Sequence, residues 1–315
     1  RKRKGRPIDG VLLLDKPQGM TSNFALQKVR RLFGAQKAGH TGSLDPLATG
    51  VLPICFGEAT KFSKYLLEAD KGYFTTATLG EIRDTGDSEG QIVAQHEVPE
   101  LSAERLTEVL HKFKGPINQV PSMYSALKHQ GRPLYEWARK GITIDRPARP
   151  ITIKCLELTG QRHSELDLTV ECSKGTYIRS LVEDIGLALG CGAHVSMLRR
   201  FEAGHFKLEQ AISMERLQEA AEDLSQLDAF LQPIDYLLPN FPELCVNNVL
   251  GESLLHGQAV RLPASEKTGL VKLYISNSDT DQEGESKGRF SGMVEVSVDG
   301  LVQPKRLLNF NPPAG

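Results

Sequence analysis

The sequence lacks any long hydrophobic run. No stretch approaches the roughly 20 consecutive apolar residues that a membrane-spanning helix needs, and the basic residues at its start lead into no apolar signal segment. We therefore expect that the protein does not associate with a membrane and that it is located in the cytoplasm.

Cysteines are few, and none of them form a Cys-x-x-Cys pair. Pairs with that spacing would indicate a zinc or redox site. The five cysteines are scattered at Cys55, Cys155, Cys172, Cys191 and Cys245. We expect reduced, mostly buried thiols and no metal site.

An excess of one charge sign is also missing, since 38 Lys and Arg face 39 Asp and Glu. A net charge of −1 excludes a polycationic protein that would bind acidic partners through its overall charge.

Two local segments nevertheless hold more basic than acidic residues. The first, from 16 to 44, contains Lys16, Lys28, Arg30, Arg31 and Lys37 and no acidic residue. The second, from 121 to 154, contains Lys128, Arg132, Arg139, Lys140, Arg146, Arg149 and Lys154 against Glu136 and Asp145. Such segments attract phosphates, although charge alone is more typical of solvated helix faces balanced by acidic residues elsewhere.

The hydrophobic periodicity predicts an α+β fold with a mixed sheet. An apolar run at 10–14 indicates a buried strand, and an apolar stripe behind a cap at Thr21 or Ser22 indicates a helix. The alternation at 73–79 predicts another strand. Further along, the patterns predict a hairpin over 151–158 and 166–172 and then a helix over 176–189. Hairpins and helical crossovers together are typical of the α+β class.

The C-terminal part has a different pattern. Residues 216–243 are acidic and interrupted by Pro233, Pro239 and Pro242, which indicates a linker. The pattern beyond it predicts short strands at 260–262, 270–275, 293–298 and 305–310, with 276–288 as a mobile hairpin loop. We therefore predict a larger domain over residues 1–240 and a small β-rich domain over residues 244–315.

One loop, Gly39-His40-Thr41-Gly42-Ser43-Leu44-Asp45-Pro46-Leu47-Ala48-Thr49-Gly50, combines glycines with a carboxylate. A following proline disfavours helical geometry, so we expect Asp45 in an extended turn with its carboxylate free. Taken alone, an Asp-Pro pair is typical of a turn and His40 of a structural histidine. A second segment, Cys172-Ser173-Lys174-Gly175-Thr176-Tyr177-Ile178-Arg179, contains a glycine turn that starts a helix.

Together, four blocks of the chain resemble the TruB family of tRNA pseudouridine synthases. They are Gly10-Val11-Leu12-Leu13-Leu14-Asp15-Lys16-Pro17, the Asp45 loop, Lys71-Gly72-Tyr73 with Leu79-Gly80, and the segment from Ser173 to Arg179. The blocks occur in order and at plausible spacing. The resemblance implies catalytic roles for Asp45, Tyr73 and Arg179 and substrate contacts for His40, Tyr73, Tyr177 and Leu198.

Two positions depart from the family pattern. Ser43 replaces the commoner Thr and keeps a small hydroxyl. The run Arg83-Asp84-Thr85-Gly86-Asp87 replaces a usual Thr-Asp-Thr-x-Asp, so the detailed role of the loop 83–90 is not predicted. Asp87 remains a candidate for contact with the site residues.

The resemblance also implies a reaction and a partner. The reaction isomerises a uridine in the T arm of tRNA, the one that gives the tRNA pseudouridine-55 synthases their name, by base flipping with His40 as the wedge. It conserves all atoms, so we expect no cofactor and no metal. The implied fold has a basic RNA-binding insertion at about 121–150 and a PUA-like C-terminal RNA-binding domain. We expect tRNA contacts at Lys16, Lys128, Arg132, Arg139, Lys140 and Arg146.

Two alternatives remain. One is the related dyskerin type, which a separate RNA and protein partners guide to its target. The basic insertion and the two-domain length favour a stand-alone enzyme with no obligatory protein partner. The other alternative is an RNA-binding module without catalysis, which Asp45, Tyr73 and Arg179 together argue against.

Overall fold

The structure is a computed structural model that describes residues 5–263, 267–276 and 288–309. Within these ranges, the larger part of the chain forms the strands β1 (Gly10–Lys16), β2 (Ala38–His40), β3 (Thr49–Phe56), β4 (Lys71–Leu79), β5 (Glu81–Arg83), β6 (Ile92–Gln95), β7 (Gly115–Gln119), β8 (Lys128–His129), β9 (Arg132–Pro133), β10 (Arg149–Arg162), β11 (Glu165–Cys172), β12 (Ala193–Ala203), β13 (Phe206–Lys207) and β14 (Ile212–Ser213). The C-terminal part adds β15 (Glu243–Val246), β16 (Val260–Arg261), β17 (Gly269–Ile275), β18 (Arg289–Val296) and β19 (Leu301–Leu307).

The same ranges contain eight α-helices and four short 3-10 helices. The α-helices are α1 (Ser22–Leu32), α2 (Ser63–Leu67), α3 (Ala103–Lys112), α4 (Leu134–Ala138), α5 (Ile178–Leu189), α6 (Met214–Glu219), α7 (Leu224–Asp228) and α8 (Asn248–Leu255). The 3-10 helices are Gly57–Lys61, Leu208–Gln210, Ala220–Glu222 and Ile234–Leu237. None of the described helices is long and apolar enough to span a bilayer.

Ten strands form the central sheet, in the order β14-β1-β3-β12-β4-β11-β10-β7, with β2 beside β3 and β13 beside β12. The β1/β14 and β3/β12 pairs are parallel and the other neighbours are antiparallel. The predicted hairpin is present as β10 and β11. The mixed sheet with packed helices confirms the predicted α+β fold.

Local sequence explains the helix that precedes the Asp45 loop. Thr21 caps α1, since its hydroxyl accepts a hydrogen bond from the Phe24 N–H at 3.1 Å. The apolar stripe of α1 is then buried against the sheet through Ala25, Leu26 and Val29. Helices α1, α3 and α5 cover one face of the sheet and form the main core with it. Burying each large aliphatic side chain stabilises the fold by roughly 1.5–3 kcal/mol.

The prediction of a linker over residues 216–243 is wrong. Residues 216–243 instead form short helices that pack on the large domain, with Leu217 and Leu227 in its core. Leu237 and Leu238 belong to a second core, which also contains Phe62 of the large domain and Met293 and Leu308 of the C-terminal part. The prolines that suggested a linker separate helical turns whose leucines are buried.

The C-terminal part forms a five-stranded sheet in the order β15-β17-β18-β19-β16. A strand at 305–310 was predicted, but β19 covers Leu301–Leu307, because the buried Val302 faces the core of this sheet. Phe310 and residues 277–287 of the predicted hairpin loop lie outside the described residues. Strand β15 and helix α8 are additions that the pattern did not predict.

Candidate active site

The Asp45 loop is shorter than predicted, because β2 and β3 contain its two ends. His40 ends β2, paired with Ile54, and β3 begins at Thr49. The centre of the loop is tied to α1: the Ser22 hydroxyl accepts a hydrogen bond from the Leu44 N–H at 2.7 Å and donates one to the Leu44 carbonyl at 2.9 Å. The backbone next to Asp45 is therefore fixed by a buried side chain.

Lys16 fixes the other side of this loop. Its ammonium donates hydrogen bonds to the carbonyls of Pro17 at 2.9 Å, Met20 at 2.7 Å and Pro46 at 3.5 Å. The residue is fully buried, and burial lowers the pKa of its ammonium to about 8. Lys16 was expected to contact RNA. In the structure its side chain is buried and its ammonium donates to backbone carbonyls inside the protein.

Asp45 forms an ion pair with Arg179. The Arg179 Nε lies 2.9 Å from the Asp45 Oδ2, and 3.8 Å from the Asp87 Oδ2. The same guanidinium donates to the carbonyls of Thr85 at 2.7 Å and Tyr124 at 2.8 Å. Arg179 is 4% exposed, at the start of α5. It therefore joins the Asp45 loop to the loop 83–90 and to the insertion.

The two partners differ in solvent access. The side chain of Asp45 is 40% exposed, whereas that of Arg179 is 5% exposed. The surrounding protein raises the pKa of the Asp45 carboxyl, and the positive charge of Arg179 acts in the opposite direction. A guanidinium so close favours the ionised carboxylate. The site therefore contains an accessible carboxylate, that of Asp45, which is paired with the buried guanidinium of Arg179.

The loop 83–90 is stabilised mainly by hydrogen bonds among its own residues. Asp87 is buried, and its Oδ1 accepts hydrogen bonds from the Thr85 hydroxyl at 2.6 Å and from the Glu89 N–H at 3.1 Å. Arg83, the departure from the family pattern, pairs with Glu81 at 2.8 Å and donates to the Gly90 carbonyl at 2.9 Å. The added charge of Arg83 is therefore used within its own hairpin.

The register of β4 and β12 places Tyr73 opposite Arg200 and Thr75 opposite Leu198. Residues that face each other in an antiparallel pair point to the same side of the sheet, so Tyr73, Leu198 and Arg200 share one face. Tyr73 and Leu198 are 8% and 6% exposed. Burial raises the pKa of Tyr73, and the nearby positive charge of Arg200 acts in the opposite direction.

His40 and Tyr177 are both half-buried. Burial, and then the nearby charge of Arg200, lower the pKa of His40, so its ring is neutral at neutral pH. The backbone of Tyr177 is fixed by Gln119, which accepts from the Tyr177 N–H at 2.8 Å and donates to the Tyr177 carbonyl at 3.0 Å. The structure thus joins Asp45 to Arg179 in an ion pair and places Tyr73 opposite Arg200 in the sheet.

The insertion leaves the sheet after β7 and returns at β10. Its predicted RNA contacts lie on the β8/β9 hairpin and at the end of α4: Lys128, Arg132, Arg139 and Lys140 are exposed, and Arg146 is half-buried. Arg139 lies over the Tyr135 ring at 5.3 Å and Lys140 over the Trp137 ring at 6.0 Å. Among the described residues, none of the four exposed cations forms an ion pair with a carboxylate.

Sequence reasoning missed Gln119, Tyr124 and Arg200. A signal was available for Arg200, because alternation along a strand that turns Leu198 inward also turns Arg200 inward. For Gln119 and Tyr124 no local signal exists, since their contacts depend on how the insertion returns to α5.

Comparison with known proteins matches nearly the whole chain. A family model described as "TruB family pseudouridylate synthase (N terminal domain)" matches residues 30–178. Models described as "tRNA pseudouridylate synthase B C-terminal domain" and "Pseudouridine synthase II TruB, C-terminal" match residues 179–239 and 242–308.

Curated relatives are similar over their full length. The tRNA pseudouridine synthase B of Ectopseudomonas mendocina (strain ymp) is 52% identical, over 98% of this chain and 97% of that protein. The protein of the same name from Tolumonas auensis (strain DSM 9187 / NBRC 110442 / TA 4) is 49% identical, over 98% and 94%.

Two solved structures have a similar fold. One chain of a Cbf5-Nop10-Gar1 complex has a TM-score of 0.68 at 26% identity, over 92% of this chain and 79% of that one. A chain of an H/ACA RNP bound to a substrate RNA containing 2'-deoxyuridine has a TM-score of 0.69, over 98% and 90%. At 23% identity, this second likeness concerns the fold alone.

Proposed function

Since the chain belongs to the TruB family of pseudouridylate synthases, we propose that it converts one uridine in the T arm of tRNA to pseudouridine, with Asp45 as the reacting carboxylate. The observation that carries the assignment of Asp45 is its ion pair with Arg179. A carboxylate 40% exposed, held 2.9 Å from a guanidinium that is itself buried, is accessible to a substrate, and the guanidinium favours its ionised form.

The reaction breaks the bond between ribose C1′ and N1 of uracil and forms a bond between C1′ and C5. The C5 proton leaves and N1 gains a proton, so the atoms balance without an oxidant or a reductant. Asp45 acts either as a nucleophile at C1′ or as the base that removes the C2′ proton in an elimination. Both routes require the ionised carboxylate, which the charge of Arg179 favours.

Tyr73 supports the uracil ring in this proposal. Its pKa is raised, so its phenol is neutral at neutral pH and is no resting phenolate base. The ring provides an apolar face, and the hydroxyl provides a route for the C5 proton. Leu198 lies on the same face of the sheet, and Tyr177 borders the site at the start of α5. These side chains would hold the base between two apolar surfaces.

A stacked uridine cannot reach Asp45, so the base has to flip out at a cost of a few kcal/mol. His40 is the proposed wedge, because its ring is neutral and sits on the strand that leads into the Asp45 loop. Phosphate contacts from Lys128, Arg132, Arg139 and Lys140 would offset the cost. Arg146 is a further candidate, whereas Lys16 holds the loop through its hydrogen bonds to the Met20 and Pro46 carbonyls.

The C-terminal part is proposed to be a PUA-like domain that binds the RNA away from the reacting base. The second core packs it against Phe62 of the large domain, and Lys61 donates a hydrogen bond to the Leu307 carbonyl at 2.9 Å. These contacts would hold the C-terminal part against the large domain, which contains the other proposed RNA-binding region, the insertion. We propose an enzyme that needs no protein partner and, since its substrate is tRNA, works in the cytoplasm.

The test is Asp45→Asn, which is nearly isosteric and removes only the charge. We expect turnover to fall at least about 10⁴-fold, as for loss of other unique nucleophiles, with tRNA affinity unchanged. Release of tritium from C5-labelled uridine measures the reaction, and filter binding measures affinity.

Asp70→Asn is the matched control. Asp70 is 47% exposed and loses one ion pair, with Lys154. Because such surface pairs contribute roughly 0–1 kcal/mol, we expect its turnover to equal that of the parent. Substantial tritium release by Asp45→Asn, free of deamidation, would return Asp45 to the role of a turn residue.

A further inference from the structure

Arg200 is a buried charge that the reaction described above does not use. The residue is 1% exposed. Within the described ranges no Asp or Glu forms an ion pair with it. Burying a guanidinium without a carboxylate costs free energy that an apolar side chain would not cost. Packing alone therefore does not explain an arginine at this position.

The side chain of Arg200 holds the beginning of the Asp45 loop. Its Nη2 donates to the Gly42 carbonyl at 3.2 Å, and its Nη1 lies 3.5 Å from the Ser43 carbonyl. Gly42 has a φ of +82°, a conformation that L side chains rarely adopt. The guanidinium thus contacts the turn of the loop two residues before Asp45.

The backbone of Arg200 holds the end of the same loop. Arg200 pairs with Gly50 in the short parallel ladder between β12 and β3. A Cβ at position 50 would lie 2.1 Å from the Arg200 carbonyl oxygen, so only glycine permits this approach. The Arg200 Nε also donates to the Val51 carbonyl at 2.8 Å. One residue therefore fixes both ends of the loop.

The same guanidinium lies beside Tyr73. The two residues lie opposite each other in the ladder between β4 and β12, so their side chains are neighbours on one face of the sheet. The positive charge of Arg200 opposes the rise that burial gives the pKa of the Tyr73 phenol. Arg200 thus contacts the loop that carries the proposed nucleophile and is a neighbour of the side chain that would face the uracil.

We propose that Arg200 is a positioning residue, which sets the Asp45 loop and the Tyr73 hydroxyl relative to each other before the uridine arrives. This inference rests on the proposed function, because it assigns Asp45 and Tyr73 to the reaction. Arg200 touches neither the sugar nor the base, and it acts through the loop and the phenol. A lysine would keep the charge but has one donor group instead of a planar fork.

The test compares Arg200→Lys and Arg200→Gln with the parent in single-turnover reactions at saturating enzyme. A misplacement of about 1 Å lowers a rate about 100-fold, so we expect that loss of rate in both variants, with tRNA affinity unchanged. Arg199→Lys is the matched control. Arg199 is next in sequence and points to the opposite face, where it hydrogen-bonds to Asp15 at 2.7 and 3.1 Å and to the Thr49 hydroxyl at 3.1 Å, away from Gly42 and Ser43. We expect its rate to equal that of the parent.

Hydrogen exchange of the free proteins gives a readout that needs no activity. We expect the amides of residues 41–45, next to the carbonyls that the Arg200 side chain holds, to exchange about 10-fold faster in Arg200→Lys and at the parental rate in Arg199→Lys. Unchanged exchange would overturn the proposal, and so would faster exchange with an unchanged single-turnover rate. A rate that recovers fully at low temperature, where the variant is folded, would show a role in stability alone. If the parent forms no pseudouridine in any RNA, the proposed function fails, while the exchange result still decides how the loop is held.

Discussion

The Asp45 loop and the basic insertion are both rich in charge, but they hold it in opposite ways. Around the loop, the cations of Lys16, Arg179 and Arg200 are buried and donate to backbone carbonyls. On the insertion, cations such as Arg132 and Lys140 are exposed, and within the described residues none has a carboxylate partner. One region fixes the geometry of its cations by hydrogen bonds within the protein, and the other leaves its cations in solvent, as the proposed contacts with phosphates require.

Because of this difference, substitutions in the two regions are expected to cause two kinds of functional defect. A buried donor aimed at a reacting group acts in a medium where its charge is poorly screened, so its loss affects the chemical step. An exposed cation is screened by salt, so its loss affects binding and the salt dependence of binding. Substitutions in the two regions should therefore change different measured quantities.

The larger effect is expected for Arg179→Gln. Removing a preorganised donor lowers rates by about 10²–10³-fold, and we expect at least that loss in the single-turnover rate. The pKa of Asp45 is already raised by burial, and Arg179 opposes that rise. Activity requires the ionised form and is lost as the pH falls through this pKa. Without Arg179 the pKa rises further, so the acid limb of the pH–rate profile should move to higher pH.

Arg179→Lys provides the comparison, because it keeps the positive charge with fewer donors. We expect its acid limb to lie between those of the parent and the Gln variant. An acid limb that stays in place or moves to lower pH in Arg179→Gln would separate this guanidinium from the ionisation of Asp45. The two regions would then differ less than their contacts indicate.

A smaller effect on chemistry is expected from the insertion. We predict that changing its four exposed cations, Lys128, Arg132, Arg139 and Lys140, to Gln weakens tRNA binding and leaves the single-turnover rate at saturating enzyme unchanged. If each contacts one phosphate, the slope of log K against log salt should become shallower by roughly 3. Binding measured over a series of salt concentrations gives the slope.

The control changes an equal number of exposed cations that already have carboxylate partners. These are Lys112, Arg162, Lys207 and Arg216. We expect the control to keep a salt slope closer to the parental one. If both sets give the same slope, the tRNA does not contact the insertion.

The sequence predicted those elements whose pattern is local. The hairpin of β10 and β11, the cap at Thr21 and the helix α5 each follow from alternation, a capping residue or a glycine turn. The predicted linker was wrong because acidic composition and prolines do not reveal which leucines find a core. The boundaries of the Asp45 loop shifted because β2 pairs with β3, a contact that no local pattern shows.

The candidate site was predictable to a different degree. Asp45 and Arg179 were identified through their motifs, and the structure joins them. Lys16 was taken as a phosphate contact, because a basic residue in a basic segment is usually exposed. Its burial depends on where the carbonyls of Met20 and Pro46 lie after folding. Lys16 and Arg200 both donate to backbone carbonyls of the folded loop, and only the folded structure shows those contacts. For Arg200, the alternation along β12 indicates the inward direction of the side chain but not its partners.

The central claim is that this chain alone isomerises one uridine in the T arm of tRNA through Asp45. The most direct measurement maps pseudouridine at single-nucleotide resolution in an unmodified tRNA transcript after incubation with the purified protein and no added factor. The Asp45→Asn variant is mapped in parallel. We predict a single pseudouridine in the T arm with the parent and none with the variant. Modification only elsewhere in the tRNA, modification that needs a guide RNA or protein partner, or equal modification by both proteins would contradict the account.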